Sequence, residues 1–106
     1  ATLEQKEGRF ARALDIFNKM LVENSEDAAL YSARAGVERD LKHDDLALLD
    51  LEEAIKLKPE EPEAYLMRGQ IYLAQKKKDM AKRDFEKAVS LGASRVDIKE
   101  LLRQSR

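Results

Sequence analysis

Cysteine and tryptophan are both absent from this 106-residue chain. Without cysteine the chain cannot form a disulfide, a thiolate nucleophile or a cysteine-ligated metal site. Glycine occurs four times and proline twice, while 43% of the residues are hydrophobic and 39% are charged. So few turn-forming residues argue against a β-sandwich and against disorder. The composition instead predicts helices with strongly solvated outer faces, in one compact unit or a short repeat array.

Long apolar segments and an excess of one charge are also missing. No run approaches the roughly 18 apolar residues of a membrane span, and the first residues lack the apolar core of a signal peptide. The 20 basic and 21 acidic residues leave a net charge of -1, so no global field favours nucleic acid or an anionic membrane. We therefore expect a soluble chain of unknown compartment, with neither of these partners.

What the chain does contain is a repeat. Residues 62–95 agree with residues 28–61 at positions that matter structurally, with a period of 34 residues. The pairs that are identical or similar across this period are Tyr31 with Tyr65, Arg34 with Arg68, Ala35 with Gly69, Val37 with Ile71, Leu46 with Met80, Ala47 with Ala81, Asp50 with Asp84, Leu51 with Phe85, Ala54 with Ala88, Ile55 with Val89 and Leu57 with Leu91. One period earlier, Ala13 and Phe17 take the places of Ala47 and Leu51.

Each full repeat is predicted to form two helices. In the second repeat, Tyr65, Gly69 and Tyr72 recur at helical spacing before a polar break, and Ala81 and Phe85 do so after it. The predicted helices span about residues 1–7, 9–23, 27–40, 44–57, 62–75, 78–91 and 95–105. They divide the chain into a partial repeat at 1–27, full repeats at 28–61 and 62–95, and a terminal capping helix at 96–106.

The second full repeat resembles the tetratricopeptide pattern of 34 residues. Tyr65, Gly69 and Tyr72 occupy the positions of W-x2-L-G-x2-Y, and Ala81 and Phe85 those of A-x3-F. The resemblance implies an all-α fold, a solenoid of antiparallel helix pairs wound into a right-handed superhelix.

Three positions depart from that pattern. Arg68 stands where leucine is preferred, and Ala93 where proline is usual. In the first full repeat, Glu38 replaces the expected aromatic residue. These departures leave the period of the repeat intact.

The resemblance also explains a glycine within a predicted helix, where it costs about 1 kcal/mol relative to alanine. In this family a small residue on the first helix of a pair lets a large side chain of the second approach its backbone. Gly69 and Ala35 are the expected contact points. The repeat-packing residues implied in this way are Tyr31, Ala35, Ala47, Leu51, Ala54, Tyr65, Gly69, Tyr72, Ala81, Phe85 and Ala88.

The polar clusters give no catalytic or metal-site pattern. The single histidine, His43, lies beside Asp44 on a predicted turn, with no second imidazole in the chain. The lysine run 76–78 is the best candidate for a nucleic-acid contact, but it lacks neighbouring aromatics and is diluted by acidic residues. No phosphate-binding loop or nucleophile elbow is present. We expect no enzymatic activity, no cofactor, no metal and no nucleic-acid partner.

The resemblance implies that the first helices of successive repeats line a concave groove for a peptide or helix of a partner protein. The predicted groove residues are Ala33, Gly36, Arg39, Leu66, Met67, Gln70 and Leu73. Leu66, Met67 and Leu73 have two open interpretations, since they can contact a ligand or pack against the last helix. The second interpretation would make the chain an architectural or oligomerisation segment of a larger solenoid, with no ligand of its own.

Capture of a chaperone tail by its terminal carboxylate is disfavoured. Family members with this function use lysine, asparagine and arginine at set positions of successive first helices. Those positions here hold Leu3, Ala33, Glu63 and Met67 in one register, or Ser32, Gly36, Met67, Asp97 and Leu101 in the other. Neither register supplies the cations.

An apolar stripe on the predicted helix 9–23 needs a covering partner. It consists of Phe10, Ala13, Leu14, Phe17 and Leu21. Large exposed apolar patches are uncommon on monomers, so we expect either preceding polypeptide or a homodimer through the N-terminal helices to cover it. Of the two, we favour a fragment of a longer protein.

Overall fold

The structure is a computed structural model that describes residues 3–93 together with Lys99 and Arg103, with side chains from residue 7 onward. Its helices are α1 (Leu3–Glu23), α2 (Ala28–Asp40), α3 (Asp44–Leu57), α4 (Pro62–Ala74) and α5 (Lys78–Ser90). No strand occurs within residues 3–93. The all-α prediction is confirmed, whereas the predicted helix 95–105 lies outside the described residues apart from those two isolated positions.

The helices form two consecutive hairpins. α2 packs against α3 and α4 packs against α5, while α1 packs on α2 and α3 packs on α4. Local sequence sets the helix starts: Asp27 accepts a hydrogen bond from the amide of Ala29 at 3.0 Å, and Pro62 opens α4 where its missing N–H is not needed. Because α3 packs on α4, the two hairpins are stacked through these helices.

The turns inside the two hairpins have the same backbone geometry. In each, the amide of a lysine, Lys42 or Lys76, donates to the carbonyl three residues earlier (2.9 and 3.0 Å). The following amide donates to the carbonyl five residues earlier, at 2.8 Å in both turns. This is the Schellman pattern, and it places Lys42 and Lys76 at φ 67° and 64°, in the left-handed region that glycine occupies more easily.

The buried side chains form two clusters that share an interior. The first cluster comprises Ala28, Ala35, Ala47, Leu51, Ala54, Ala64 and Ile71. The second comprises Tyr65, Ala81, Phe85 and Ala88. Ile55 of α3 packs against both clusters, and Ile71 of α4 belongs to the first. The two hairpins therefore stack through a continuous apolar interior rather than as separate units.

Gly69 determines how the second hairpin closes. A Cβ atom there would lie 2.6 Å from Cε1 and 2.8 Å from Cδ1 of Phe85, closer than real Cβ atoms approach other atoms. The phenylalanine ring therefore lies directly against the backbone of α4. The predicted packing residues are all buried except Tyr31 and Tyr72, which are half-buried.

The predicted break between helices 1–7 and 9–23 is wrong. α1 runs without interruption through Gly8, which is exposed and has nothing within 4 Å of the position of a Cβ atom. A lone glycine weakens a helix but does not end it unless its neighbours cap the exposed backbone groups. Here Glu7 and Arg9, both strong helix formers, flank the glycine and the helix continues.

Candidate functional site

The seven predicted groove residues lie on α2 and α4, the first helices of the two hairpins, which contact each other. Cε of Met67 lies 3.5 Å from the position that a Cβ atom on Gly36 would take. Nη1 of Arg39 donates a hydrogen bond to Oε1 of Gln70 at 2.6 Å. These two contacts join the helices along a line that we call the α2/α4 seam.

The large apolar residues of the seam are partly buried against the core and partly exposed to solvent. Met67 packs against the first cluster, while Leu66 and Leu73 pack against the second. All three are half-buried, and Ala33 on α2 is exposed. The seam is therefore a shallow surface of small and apolar groups rather than an open channel.

A cleft of about 160 Å³ lies at the amino-terminal ends of α2 and α4. It is lined by Asp27, Ala28, Ala29, Ser32, Ala54, Lys58, Glu61, Glu63 and Ala64. Three carboxylates against one lysine make its lining acidic. Sequence reasoning missed this cleft because it forms between two turns whose proximity depends on the stacking of the hairpins.

Sequence reasoning also missed two ion pairs that occur at equivalent positions. Nε and Nη2 of Arg34 donate to the carboxylate of Asp50 at 2.8 and 2.6 Å, and the same atoms of Arg68 donate to Asp84 at 2.9 and 2.8 Å. The aspartate side chains are only 8% exposed, and these hydrogen bonds raise the pKa of each arginine. The sequence did contain a signal for these pairs, because an arginine and an aspartate recur 16 residues apart in both full repeats.

The ion pairs explain a departure from the expected pattern. Arg68 takes the place of a leucine because its guanidinium reaches Asp84 while its stem lies beside aromatic rings. The guanidinium carbon is 5.8 Å from the ring centroid of Tyr65 and 6.0 Å from that of Tyr72. Distances of this size are typical of cation–π contacts. The half-buried arginine therefore has its charged and aromatic partners within its own hairpin.

The remaining polar candidates do not assemble a site. His43 is exposed at the start of α3, and its side chain makes no cap hydrogen bond. Lys76, Lys77 and Lys78 form an exposed turn, with Nζ of Lys77 5.9 Å from the ring centroid of Tyr72. Within the described part of the chain, no group of three or more potential ligands could hold a metal ion. None of the described helices is long and apolar enough to cross a membrane.

Comparison with known proteins gives a consistent result. The tetratricopeptide-repeat family profile matches residues 62–92. The structure of the first TPR of Spaghetti (RPAP3), bound to the HSP90 peptide SRMEEVD, is similar with a TM-score of 0.84 and 27% identity, over 94% of this chain and 79% of that one. The structure of the second TPR of Spaghetti, bound to the same peptide, is similar with a TM-score of 0.74 and 28% identity, over 81% of this chain and 80% of that one.

The crystal structure of MamA is also similar, with a TM-score of 0.75 and 25% identity. The match covers 78% of this chain, which spans about half of the MamA chain (48%). No curated protein matches the sequence.

The stacked hairpins and their 34-residue period define a helical-repeat protein of the solenoid type. Residues 62–92 match the tetratricopeptide-repeat family, and the fold of the chain is similar to that of solved TPR structures.

Proposed function

We propose that the chain is a non-enzymatic module, part of a longer protein, that holds a peptide or helix of a partner protein along the α2/α4 seam. The strongest support is the similarity, over 94% of this chain, to a TPR structure bound to a peptide. Tetratricopeptide repeats typically serve as protein-interaction domains without catalytic activity.

The chemistry of the seam favours an apolar partner segment. Ala33 is small and exposed, so a partner backbone can come close to α2 there, whereas Gly36 is already in contact with Met67. Met67 can adapt its flexible thioether to different side chains, as methionines do at many helix-binding surfaces. An amphipathic helix or an extended apolar peptide is the segment that fits these groups.

An acidic peptide tail fits less well. Neither α2 nor α4 contains a lysine. Their three arginines already donate to other groups, Arg34 to Asp50, Arg39 to Gln70 and Arg68 to Asp84. The cleft at the end of the seam is itself acidic. The partner of this chain is therefore chemically distinct from the acidic peptide SRMEEVD that the Spaghetti repeats hold.

The alternative is an architectural segment of a larger solenoid. The half-burial of Leu66, Met67 and Leu73 against the two core clusters favours it, because these contacts would be made without any ligand. The same contacts mean that substituting those residues would disturb the fold as well as the surface. A decisive variant must therefore change the seam at an exposed residue.

Ala33→Arg is such a variant, and Ala11→Arg on exposed α1 is its matched control. The probe is a phage-displayed library of random dodecapeptides, selected on the wild-type chain, with affinities then measured for synthetic copies. We expect selected apolar peptides to lose at least tenfold in affinity for Ala33→Arg and to keep their affinity for Ala11→Arg. No enriched peptide, or equal binding by both variants, would favour the architectural role.

Homodimerisation through the N-terminal helices stays a separate prediction. Leu21 of the α1 stripe is buried, while Phe10, Ala13, Leu14 and Phe17 are half-buried. Outside that stripe, Ile16 and Val22 are 57% and 85% exposed. These apolar groups on α1 are the surface through which a second copy or further polypeptide would pack.

A further inference from the structure

Glu38 occupies a position that the second hairpin fills with an aromatic residue. Its equivalent, Tyr72, lies beside the guanidinium of Arg68 and packs on the second core cluster. Glu38 is only 7% exposed, and its Oε1 atom is buried without a hydrogen-bond partner. Burying an ionised carboxylate in this way is costly, so the protonation state of Glu38 matters to the fold.

The surroundings of Glu38 form one polar network across three helices. Arg34, one turn earlier on α2, donates to Asp50 of α3, and its Nη1 donates to Oδ1 of Asn18 on α1 at 2.8 Å. Asp50, which accepts from Arg34, is also a neighbour of the Glu38 carboxyl and contributes to its raised pKa. Among the described residues, Asp50 of α3 and Arg34 of α2 are the ionisable groups that act on Glu38, and none from α1 or α4 does so.

The combined effect of burial, Asp50 and Arg34 favours the neutral form of the Glu38 carboxyl. Burial and the neighbouring Asp50 raise the pKa of Glu38 to about 8, against a smaller opposing effect of Arg34. A neutral carboxyl has one O–H to donate, and Asp50 is an acceptor. At pH 7 the neutral carboxyl of Glu38 can therefore donate its O–H to the aspartate that accepts from Arg34.

We propose that Glu38 is a proton-dependent latch of the first hairpin, whose neutral carboxyl donates to Asp50 and completes the network joining α1, α2 and α3. When Glu38 releases its proton to solvent, this hydrogen bond is lost and a second negative charge stands beside Asp50. The network that includes the hydrogen bond from Arg34 to Asn18 of α1 is then weakened. The second hairpin has no such carboxyl, since Tyr72 takes that position.

The sign of the pH effect follows from proton binding. In the unfolded chain Glu38 has an ordinary pKa of about 4.5, whereas in the folded chain its pKa is about 8. Between these values the folded state binds more protons, so stability falls as the pH rises. The contribution of Glu38 is complete below the lower pKa and is lost above the upper one.

Melting temperatures between pH 5.5 and 9 test the latch in the wild type, in Glu38→Gln and in Glu52→Gln, which alters an exposed carboxylate on α3. The amide of glutamine keeps a donor for Asp50 at every pH. We expect the melting temperature of the wild type to fall relative to that of Glu38→Gln as the pH rises. The difference between the two melting temperatures should change by at least about 5 °C between pH 5.5 and 9. Glu52→Gln should follow the wild type, and a Glu38→Gln curve parallel to the wild type would overturn the proposal.

A second measurement does not depend on the variants. The side-chain carboxyl carbon of Glu38 can be followed by NMR in the isotope-labelled wild-type chain as the pH is raised. We expect a midpoint near 8, with amide shift changes concentrated in α1, α2 and α3. A midpoint near the ordinary glutamate value would refute the latch.

Discussion

Ala35 and Leu51 share a buried cluster in the first hairpin, whereas in the second hairpin Gly69 leaves room for the ring of Phe85. The two pairs stand at equivalent positions of the 34-residue period. A larger side chain on the second helix is matched by a smaller one on the first. Space is thus shared across the pair, and the effect of a substitution at one position depends on the residue at the other.

The polar parts of the hairpins differ in a complementary way. Both contain the bidentate arginine–aspartate pair and the lysine in a left-handed turn. Only the first places a glutamate beside its aspartate, where the second has Tyr72. The shared features close each hairpin, and the glutamate adds sensitivity to pH to one of them.

The largest expected effect comes from filling the space at Gly69. Gly69→Ala should lower the free energy of unfolding by roughly 1–3 kcal/mol, and Gly69→Leu by the upper end of that range or more, because the added atoms meet Phe85. Urea denaturation measures both.

Gly8→Ala is the matched control for this substitution. Helix propensity alone predicts a gain of about 1 kcal/mol at either glycine, but only Gly8 has free space around it. The double variant Gly69→Ala, Phe85→Leu reproduces the pair of the first hairpin and should recover most of the loss. A stabilising Gly69→Ala would show that Phe85 does not hold α4 at that distance.

The next effect concerns the ion pair of the second hairpin. Asp84→Asn keeps the shape of the side chain but removes the charge that accepts two hydrogen bonds from Arg68. We expect a loss of about 1.5–3 kcal/mol in the free energy of unfolding, since hydrogen bonds to charged groups contribute on this scale. Glu86→Gln, the same change at an exposed site of α5, should stay within about 0.5 kcal/mol of the wild type. Equal losses would contradict a role for the buried pair.

The smallest effect concerns the hairpin turns. Lys42→Gly and Lys76→Gly should each raise the free energy of unfolding by about 0.5–1 kcal/mol, because glycine adopts a positive φ without the steric cost of a side chain. Lys82→Gly, at an exposed position within α5, should lower it by about 1 kcal/mol. The opposite signs distinguish turn strain from a general effect of removing lysine, and thermal denaturation can resolve them.

Much of the fold was predictable because the same helical spacing of apolar residues occurs in both full repeats, so each repeat supports the helix assignment of the other. α3 has the predicted bounds, and α2, α4 and α5 differ from them by one residue at an end. The break at Gly8 was predicted wrongly, since local sequence does not show whether a glycine is needed for a turn. Arg68 departs from the tetratricopeptide pattern, and the local sequence does not show why, because its partner Asp84 lies on another helix.

The seam was less predictable than the fold. Its residues were placed on the right helices, but the contacts of Met67 with Gly36 and of Arg39 with Gln70 depend on how the two hairpins stack. The acidic cleft has the same origin. Stacking is set by the apolar interior that the hairpins share, so the sequence pattern of one repeat does not contain it.

The sequence by itself determined most of the helices, their period and the resemblance to tetratricopeptide repeats, because helical spacing and a 34-residue recurrence are properties of the chain order. Only the tertiary structure decided which side chains meet. It joined each arginine to its aspartate and buried Glu38 near Asp50, whereas the close approach at Gly69 was expected from the repeat pattern. These contacts join different helices, and the physical reason they escape local analysis is that burial and charge act through distance in space rather than along the sequence.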